Sequence, residues 1–489
     1  MKITNLAVLC AAAVFALCSC SDSIEVSVTD NVINPDYIGN GVEWDPYDEA
    51  LSWGSEITEE DWQTIFERLD FMQPQYVRCM INSPFSYYDP ETGKYDRERN
   101  AEYLLKLLGY CQDNGIMVVY GEYNPPKWSM KDSMEWVRMS VSHLNWLVME
   151  KGFDCIRHFI IFNEPDGNWA STNGDYKLWE KMAELFVSEM QKYEGLTDKV
   201  SLAGPDAVLN YRNPASEFGT EGWVANAAAD LDGHIGLYDI HAYPGQHYVR
   251  SGKFAEDMQK IRALVPEGKQ IIFGEAGYKY HNPEDAALQA EYDRRVEGHP
   301  FTKGSDCNML VYDYFYALDM PLFLMEVMNN GFSGAAAWML DDAMHSNGDS
   351  GETEDIKIWG MWNILGSEVF NDPSQEEIRP WYYTWSMMCK YFPAGTDILE
   401  MTGNLPEGIH CTAGKTEQGN YTAAFVNLTD QDSDIRLALP DDAGKGYYLY
   451  TFRDSQNGPE LEGPVPATVR NGKIAVELPA QSFAIVTRL

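Results

Sequence analysis

Two glutamates stand where a carboxylate is costly. One closes the apolar run Phe159-Ile160-Ile161-Phe162-Asn163-Glu164-Pro165, and the other closes Ile271-Ile272-Phe273-Gly274-Glu275-Ala276-Gly277. A carboxylate at the end of a buried strand loses hydration, so its presence there points to chemistry. Two such groups facing each other across a cleft suit the cleavage of a glycosidic bond. One protonates the leaving oxygen, and the other attacks the anomeric carbon or activates water.

Those two runs belong to a series. Short apolar or β-branched runs occur at Tyr37–Val42, Tyr76–Met80, Ile116–Tyr120, Phe159–Phe162, Val200–Ala203, Gly236–Ile240, Gln270–Phe273 and Gly334–Met339. Most begin about 35 to 45 residues after the last, the length of a strand, a helix and two loops in a (β/α)8 TIM barrel. Helical periodicity lies between them at Asp61–Met72, Ala101–Cys111, Ser133–Met149, Leu178–Tyr193 and Tyr312–Asn330. The longest interval contains His281–Gly304, rich in Pro, Gly and charge, which predicts an extended loop. Active sites of this fold form at the C-terminal ends of the strands, and runs four and seven place Glu164 and Glu275 on opposite sides of one barrel mouth.

After Phe392 the period changes to two. Tyr421–Leu428, Ile435–Leu439, Tyr447–Phe452, Ile474–Leu478 and Phe483–Val486 predict strands, and Asn471-Gly472 predicts a hairpin. The chain thus divides into a barrel over 35–392 and an all-β sandwich over 393–489. Alternation in Ile24-Glu25-Val26-Ser27-Val28 predicts one more strand within the segment 20–34, pairing with the sandwich.

The barrel segment resembles the clan A retaining glycoside hydrolases. Asn163-Glu164-Pro165 closes strand four and Phe273-Gly274-Glu275 closes strand seven, as in that clan. Smaller matches are Tyr76-Val77-Arg78 on strand two, Asp239-Ile240-His241-Ala242-Tyr243 on strand six and Ala336-Ala337-Trp338 on strand eight. The resemblance implies that Glu164 is the general acid/base and Glu275 the nucleophile, ~5–5.5 Å apart as retention demands rather than the ~6.5–9.5 Å of inversion. It implies Asn163 as donor to the sugar 2-hydroxyl, with Arg78 and Tyr243 keeping Glu275 ionised and His241 nearby. Families 5, 30, 39, 51 and 79 share the pattern, and no motif decides among them. Plainer roles exist for each residue: a helix-terminal charge for Glu164, an ion-pair partner for Arg78, core packing for His241 and Tyr243.

Other features frame the substrate. Trp44, Trp128, Trp169, Trp338 and Trp359 follow strand ends, where a flat ring can stack on a sugar. Glu43, Glu122 and Asp206 follow strands one, three and five and are expected to support the site. The acidic segment from Asp341-Asp342 through Asp349, Glu352, Glu354 and Asp355 is expected to be a solvated loop shaping the cleft rather than a calcium site, having no EF-hand spacing. No C-x-x-C pair exists, and neither metal nor cofactor is expected.

The 489 residues carry 36 Lys+Arg against 75 Asp+Glu, a formal charge of -39, which excludes nucleic acid as a partner and disfavours anionic polysaccharides. Lys2 and the apolar stretch to Leu17 predict a signal peptide over 1–19, too short to span a membrane. Leu17-Cys18-Ser19-Cys20 resembles a bacterial lipobox, which implies lipidation of Cys20 and an anchor in the outer membrane of a Gram-negative cell. The function expected is retaining, endo-acting hydrolysis of a β-linked oligo- or polysaccharide, such as a β-glucan. The alternatives are an exo-acting β-glycosidase and a glycan-binding lipoprotein without turnover.

Overall fold

The computed structural model describes residues 23–52, 55–298, 307–345, 357–440 and 446–488. The signal segment, Cys20 and the acidic loop over 346–356 lie outside the described residues. Gly41–Glu43, Tyr76–Ile81, Met117–Glu122, Ile156–Ile160, Ser201–Val208, Ile235–Ala242, Ile271–Ala276 and Gly334–Ala337 form, in that order, a closed parallel barrel. Parallel strands are covered on both faces, which is why they read as unbroken apolar runs.

Alternation along each strand sorts the side chains. Tyr76, Met80, Val119, Ile160, Leu237 and Ile272 fill the barrel interior, while Val77, Cys79, Val118 and Tyr120 pack outward against the helices. Arg78 falls between Tyr76 and Met80 on the inward face, fully buried.

Helices at Glu59–Met72, Glu102–Asp113, Met134–Asn145, Tyr176–Met190 and Tyr316–Asn329 occupy the periodic segments. The expected loop over 281–304 is corrected: it contains a helix, Ala286–Gly298. Its charges are helix-compatible, since Glu291 bonds Arg294 and Arg295 one turn on, and Arg295 ties the helix to Asp313.

Apart from a small two-stranded pair, Tyr88–Asp89 with Lys94–Tyr95, the remaining described strands form one ten-stranded sheet, into which Ile24–Tyr37 is inserted between Thr396–Gly403, antiparallel to it, and Ser433–Ala438, parallel to it. Asn471 and Gly472 both have left-handed φ and join Arg470 to Lys473 across a two-residue turn. Tyr421–Asn427 is buried along its whole length. Phe425 and Ala423 face the sandwich core, whereas Ala424 and Val426 join the barrel's hydrophobic cluster. Tyr314 stacks on Phe452 and donates to the Gln481 carbonyl, so the sheet braces the barrel side on which the seventh and eighth strands lie. No disulfide joins the six cysteines among the described residues.

Candidate active site

At the C-terminal mouth one guanidinium organises the carboxylates. Arg78 Nη1 donates to both oxygens of Glu43, at 2.9 and 2.8 Å, and to Glu275 Oε1 at 2.8 Å. Its Nη2 donates to Asn163 Oδ1 at 2.7 Å and Asp206 Oδ2 at 3.2 Å. The strand register explains this convergence, because Glu43 sits directly opposite Arg78 on neighbouring strands. With Oδ1 of Asn163 taken by Arg78, the amide nitrogen is its group left to donate to a ligand.

His241 joins the same group. Its Nε2 lies 3.0 Å from Asp206 Oδ1, and its Nδ1 lies 2.9 Å from Glu164 Oε1 and 3.4 Å from Glu275 Oε2. Burial opposes a charge on the imidazole, yet the Asp206 and Glu275 carboxylates outweigh it and hold His241 protonated well above its usual range. Burial likewise opposes charge on Asp206, but His241 and Arg78 bring it down to about 2. For Glu43 burial dominates and drives its carboxyl well above the usual range, with Asp45 and Glu275 adding to the effect against Arg78.

Glu164 and Glu275 end in different surroundings. Glu275 Oε2 accepts from the Tyr243 hydroxyl at 2.5 Å, so each of its oxygens has a donor. Glu164 Oε2 accepts from Trp169 Nε1 at 2.6 Å. The Glu164 backbone sits in the left-handed region, φ 46°, and its N–H is held by Asp206 Oδ2 at 3.0 Å. A non-glycine residue there stores about 1 kcal/mol or more, a cost that the Asp206 contact offsets. Donor atoms of Glu164, His241 and Glu275 all lie within 4.8 Å of one another, so the two carboxylates face each other at close range. A second trio, Asp206, Asp239 and His241, is equally compact. A metal cation at either trio would meet the charges of His241 and Arg78, which disfavours its binding.

Asp239 lies beneath these groups, buried, with Oδ1 accepting from Gly274 N at 2.7 Å. Its carboxyl fills the space of a side chain at 274, where a Cβ would approach both oxygens to 2.4 Å, which accounts for glycine beside Glu275. Burial and the neighbouring Asp206 raise Asp239 to about 8. The native state therefore keeps a proton that the unfolded chain releases above about 4. By linkage, the stability this group contributes falls as pH rises from about 4 to about 8. Asp239→Asn, which cannot ionise, is expected to flatten that fall. Melting temperatures of both forms between pH 5 and 8 provide the check, and parallel curves would rule the effect out.

Glu164 and Glu275 open into a cavity of about 630 Å³, also lined by Tyr123, Trp169, Tyr211, Tyr243 and Trp338. Trp169 is 44% exposed and pairs with Tyr211 at 4.7 Å between centroids, a platform beside Glu164. Trp338 forms a wall, stacked on His345 at 5.1 Å.

The structure corrects three of the tryptophan expectations. Trp44 is buried against Trp62, Phe66 and Tyr110, since it follows inward-facing Glu43 and alternation turns it out to the helices. Trp128 is exposed at the rim and does not line the cavity. Trp359 is buried edge-on to Tyr243 and supports that ring. Glu122 also points outward, to Trp136, Ser140 and Tyr87. Asp341 and Asp342 are not solvated: they bind the backbone at Ile364 and Gly360 and the side chains of Trp362 and Arg379, anchoring the segment after strand eight.

Several site residues escape a reading from sequence. Tyr123 OH lies 2.6 Å from Asp45 Oδ2 and 3.1 Å from Glu43 Oε1, and His345 Nε2 lies 2.7 Å from Asp45 Oδ2. The available signal was parity: if Glu122 faces out, Tyr123 faces in.

This barrel with its appended sheet is a fold found in solved glycoside hydrolases. Solved structures similar to it include a family 30 endoxylanase from Clostridium papyrosolvens, with 14% identity over 95% of this chain and 99% of that one and a TM-score of 0.58. An endo-β1,6-glucanase aligns with 15% identity, 94% and 93% coverage and a TM-score of 0.61. A glucosidase from Croceicoccus marinus aligns with 11% identity, 96% and 99% coverage and a TM-score of 0.63. No protein-family model matches the sequence, and no curated protein does.

Proposed function

We propose that this protein is a retaining glycoside hydrolase that cleaves β-linked glycans by double displacement. The observation that carries it is the close pair Glu164 and Glu275, with oxygens within 4.8 Å, in surroundings that differ as the two roles require. Glu275 is the nucleophile: Arg78 and Tyr243 donate to its two oxygens, and its attack on the anomeric carbon gives a glycosyl ester. Glu164 is the acid that protonates the departing oxygen and then the base that takes a proton from water. A separation this short leaves no room for water between carboxylate and sugar, which favours retention over inversion.

Internal cleavage of a chain is supported by space beyond the pair. Leu209, Asn210 and Tyr211 border both the catalytic cavity and a neighbouring hollow of about 350 Å³, and Tyr243 and Lys279 border both the cavity and another of about 180 Å³. The printed activities of the similar structures, xylanase, β1,6-glucanase and glucosidase, are compatible with a glycan substrate but differ in sugar and mode. Incubation with a panel of β-glucans, galactans, mannans and xylans, with NMR of the first product, tests the reading. The expected product keeps the β configuration; an α product would remove Glu275 from the nucleophile role.

A further inference from the structure

One buried carboxyl near the mouth takes no part in cleavage of the bond. Asp166, two residues beyond Glu164, is 2% exposed and does not line the catalytic cavity. Both of its oxygens accept from the backbone N–H of Val208, each at 3.2 Å. Val208 lies two residues beyond Asp206, whose Oδ2 in turn accepts from the backbone N–H of Glu164 at 3.0 Å. The ends of strands four and five are thus tied twice, each lending a carboxyl to the backbone of the other. Thr220 Oγ1 donates to the Val208 carbonyl at 2.6 Å, which fixes the strand-five side of the tie.

The tie closes on strained backbone. Glu164 and Asp206 both have left-handed φ, 46° and 63°, a state that non-glycine residues keep only where their surroundings hold them. Beyond Asp166 the chain folds back on itself. Gly167 N–H donates to the Glu164 carbonyl at 2.8 Å, and Thr172 Oγ1 and Gly174 N–H donate to that of Pro165 at 2.7 and 3.0 Å. Trp169 lies against Gly167, where a Cβ would meet its ring at 2.4 Å, and from there reaches Glu164 Oε2. Asp166 therefore anchors the turn that places both the Glu164 backbone and the indole donor on its carboxyl. Burial, with Glu164 adding to it, raises Asp166 to about 8. Below that pH its side chain is neutral, a form that asparagine matches in size and in the oxygen it offers to Val208.

We propose that Asp166 is a positioning residue for the acid/base, the clamp that keeps Glu164 in its left-handed conformation with its carboxyl aimed at the departing oxygen. This rests on the glycosidase reading above. Released from the clamp, Glu164 is free to relax toward the right-handed region, which swings its Cα–Cβ bond away. A displacement of about 1 Å at a reacting group costs on the order of 100-fold in rate.

The test compares two aryl β-glycosides of the sugar or oligosaccharide that the polymer panel identifies. Dinitrophenolate leaves without a proton, whereas phenol departs readily only when Glu164 supplies one. Asp166→Ala is expected to lower kcat/KM for the phenyl glycoside on the order of 100-fold, and that for the dinitrophenyl glycoside by less than about threefold. Asp166→Asn is expected to stay within about threefold of the parent on both. Equal losses on the two substrates, or no loss on the phenyl glycoside, overturn the positioning role and leave the glycosidase standing. Thermal melts accompany the assay. If Asp166→Ala does not fold, Asp166→Ser, too short to reach Val208, takes its place, and loss of the fold in both overturns the positioning role as well. A parent that cleaves neither glycoside, with no covalent trapping at Glu275 by a fluorinated glycosyl inactivator, overturns both readings.

Discussion

Glu275→Ala is expected to lower glycan turnover on the order of 10⁵-fold while leaving the fold intact. With Glu275 as the proposed nucleophile, the loss is large because no neighbouring group can replace it. Glu164 is held by His241 and Trp169, Asp206 is engaged by Arg78, His241 and the Glu164 backbone, and Glu43 is buried behind Arg78. The fold survives because Arg78 keeps Glu43 and Asp206 as partners, and removal of one of three crowded carboxyl groups relieves repulsion. The melting temperature should therefore hold or rise, as is common when strain at a functional site is removed. Azide, small enough for the vacated space, should restore part of the turnover and yield a glycosyl azide of inverted configuration. Reducing-sugar assays with thermal melts make the measurement, and activity within about tenfold of the parent would end the assignment.

Arg78→Met is expected to destabilise the protein by about 3–5 kcal/mol and to abolish activity together with folding robustness. The guanidinium is wholly buried and serves Glu43, Asp206, Glu275 and Asn163 at once. Removing it leaves those acceptors in a medium that cannot hydrate them. Urea denaturation measures the loss. Adding Glu43→Leu to Arg78→Met should return part of it, because replacing both members of a buried pair by apolar groups is far less costly than removing one. Arg78→Met with an unchanged midpoint would show that water or rearrangement supplies what the guanidinium does, and would refute the central role given to it.

The sequence reading succeeded where one physical demand dominated. Barrel strands are buried on both faces, so each appears as a dense apolar run, and a carboxylate at the end of such a run stands out against it. Helices with one apolar stripe were equally plain. Trp381–Tyr391 was not, because it is buried nearly all round and has no stripe to read. Thr220–Leu231 is weakly patterned, Lys253–Arg262 carries a narrow apolar stripe of Phe254, Met258 and Ile261 in a mostly polar segment, and Ala286–Gly298 is dominated by charge that resembles loop composition.

At the site, position along the chain proved a better guide than direction of the side chain. Trp44 and Tyr123 each follow a glutamate at a strand end, yet Trp44 turns out to the helices and Tyr123 turns into the cavity. One residue of parity separates the two outcomes, and only the register with neighbouring strands fixes it. Lys279 and Lys357, which line the cavity, lay beyond reach for another reason: single lysines in loops carry no pattern.

The placement of Ile24–Tyr37 has a consequence for how the molecule is made. This strand is synthesised about 360 residues or more ahead of its partners Thr396–Gly403 and Ser433–Ala438. At about 5–20 residues per second it waits tens of seconds with both edges unpaired, while the barrel can already close. The sheet is thus sealed by segments that flank the barrel in sequence, and vectorial synthesis favours a finished barrel before that closure. Until it happens, the waiting strand is the segment most exposed to pairing with the wrong partner, and a chaperone that shields extended backbone would act there first.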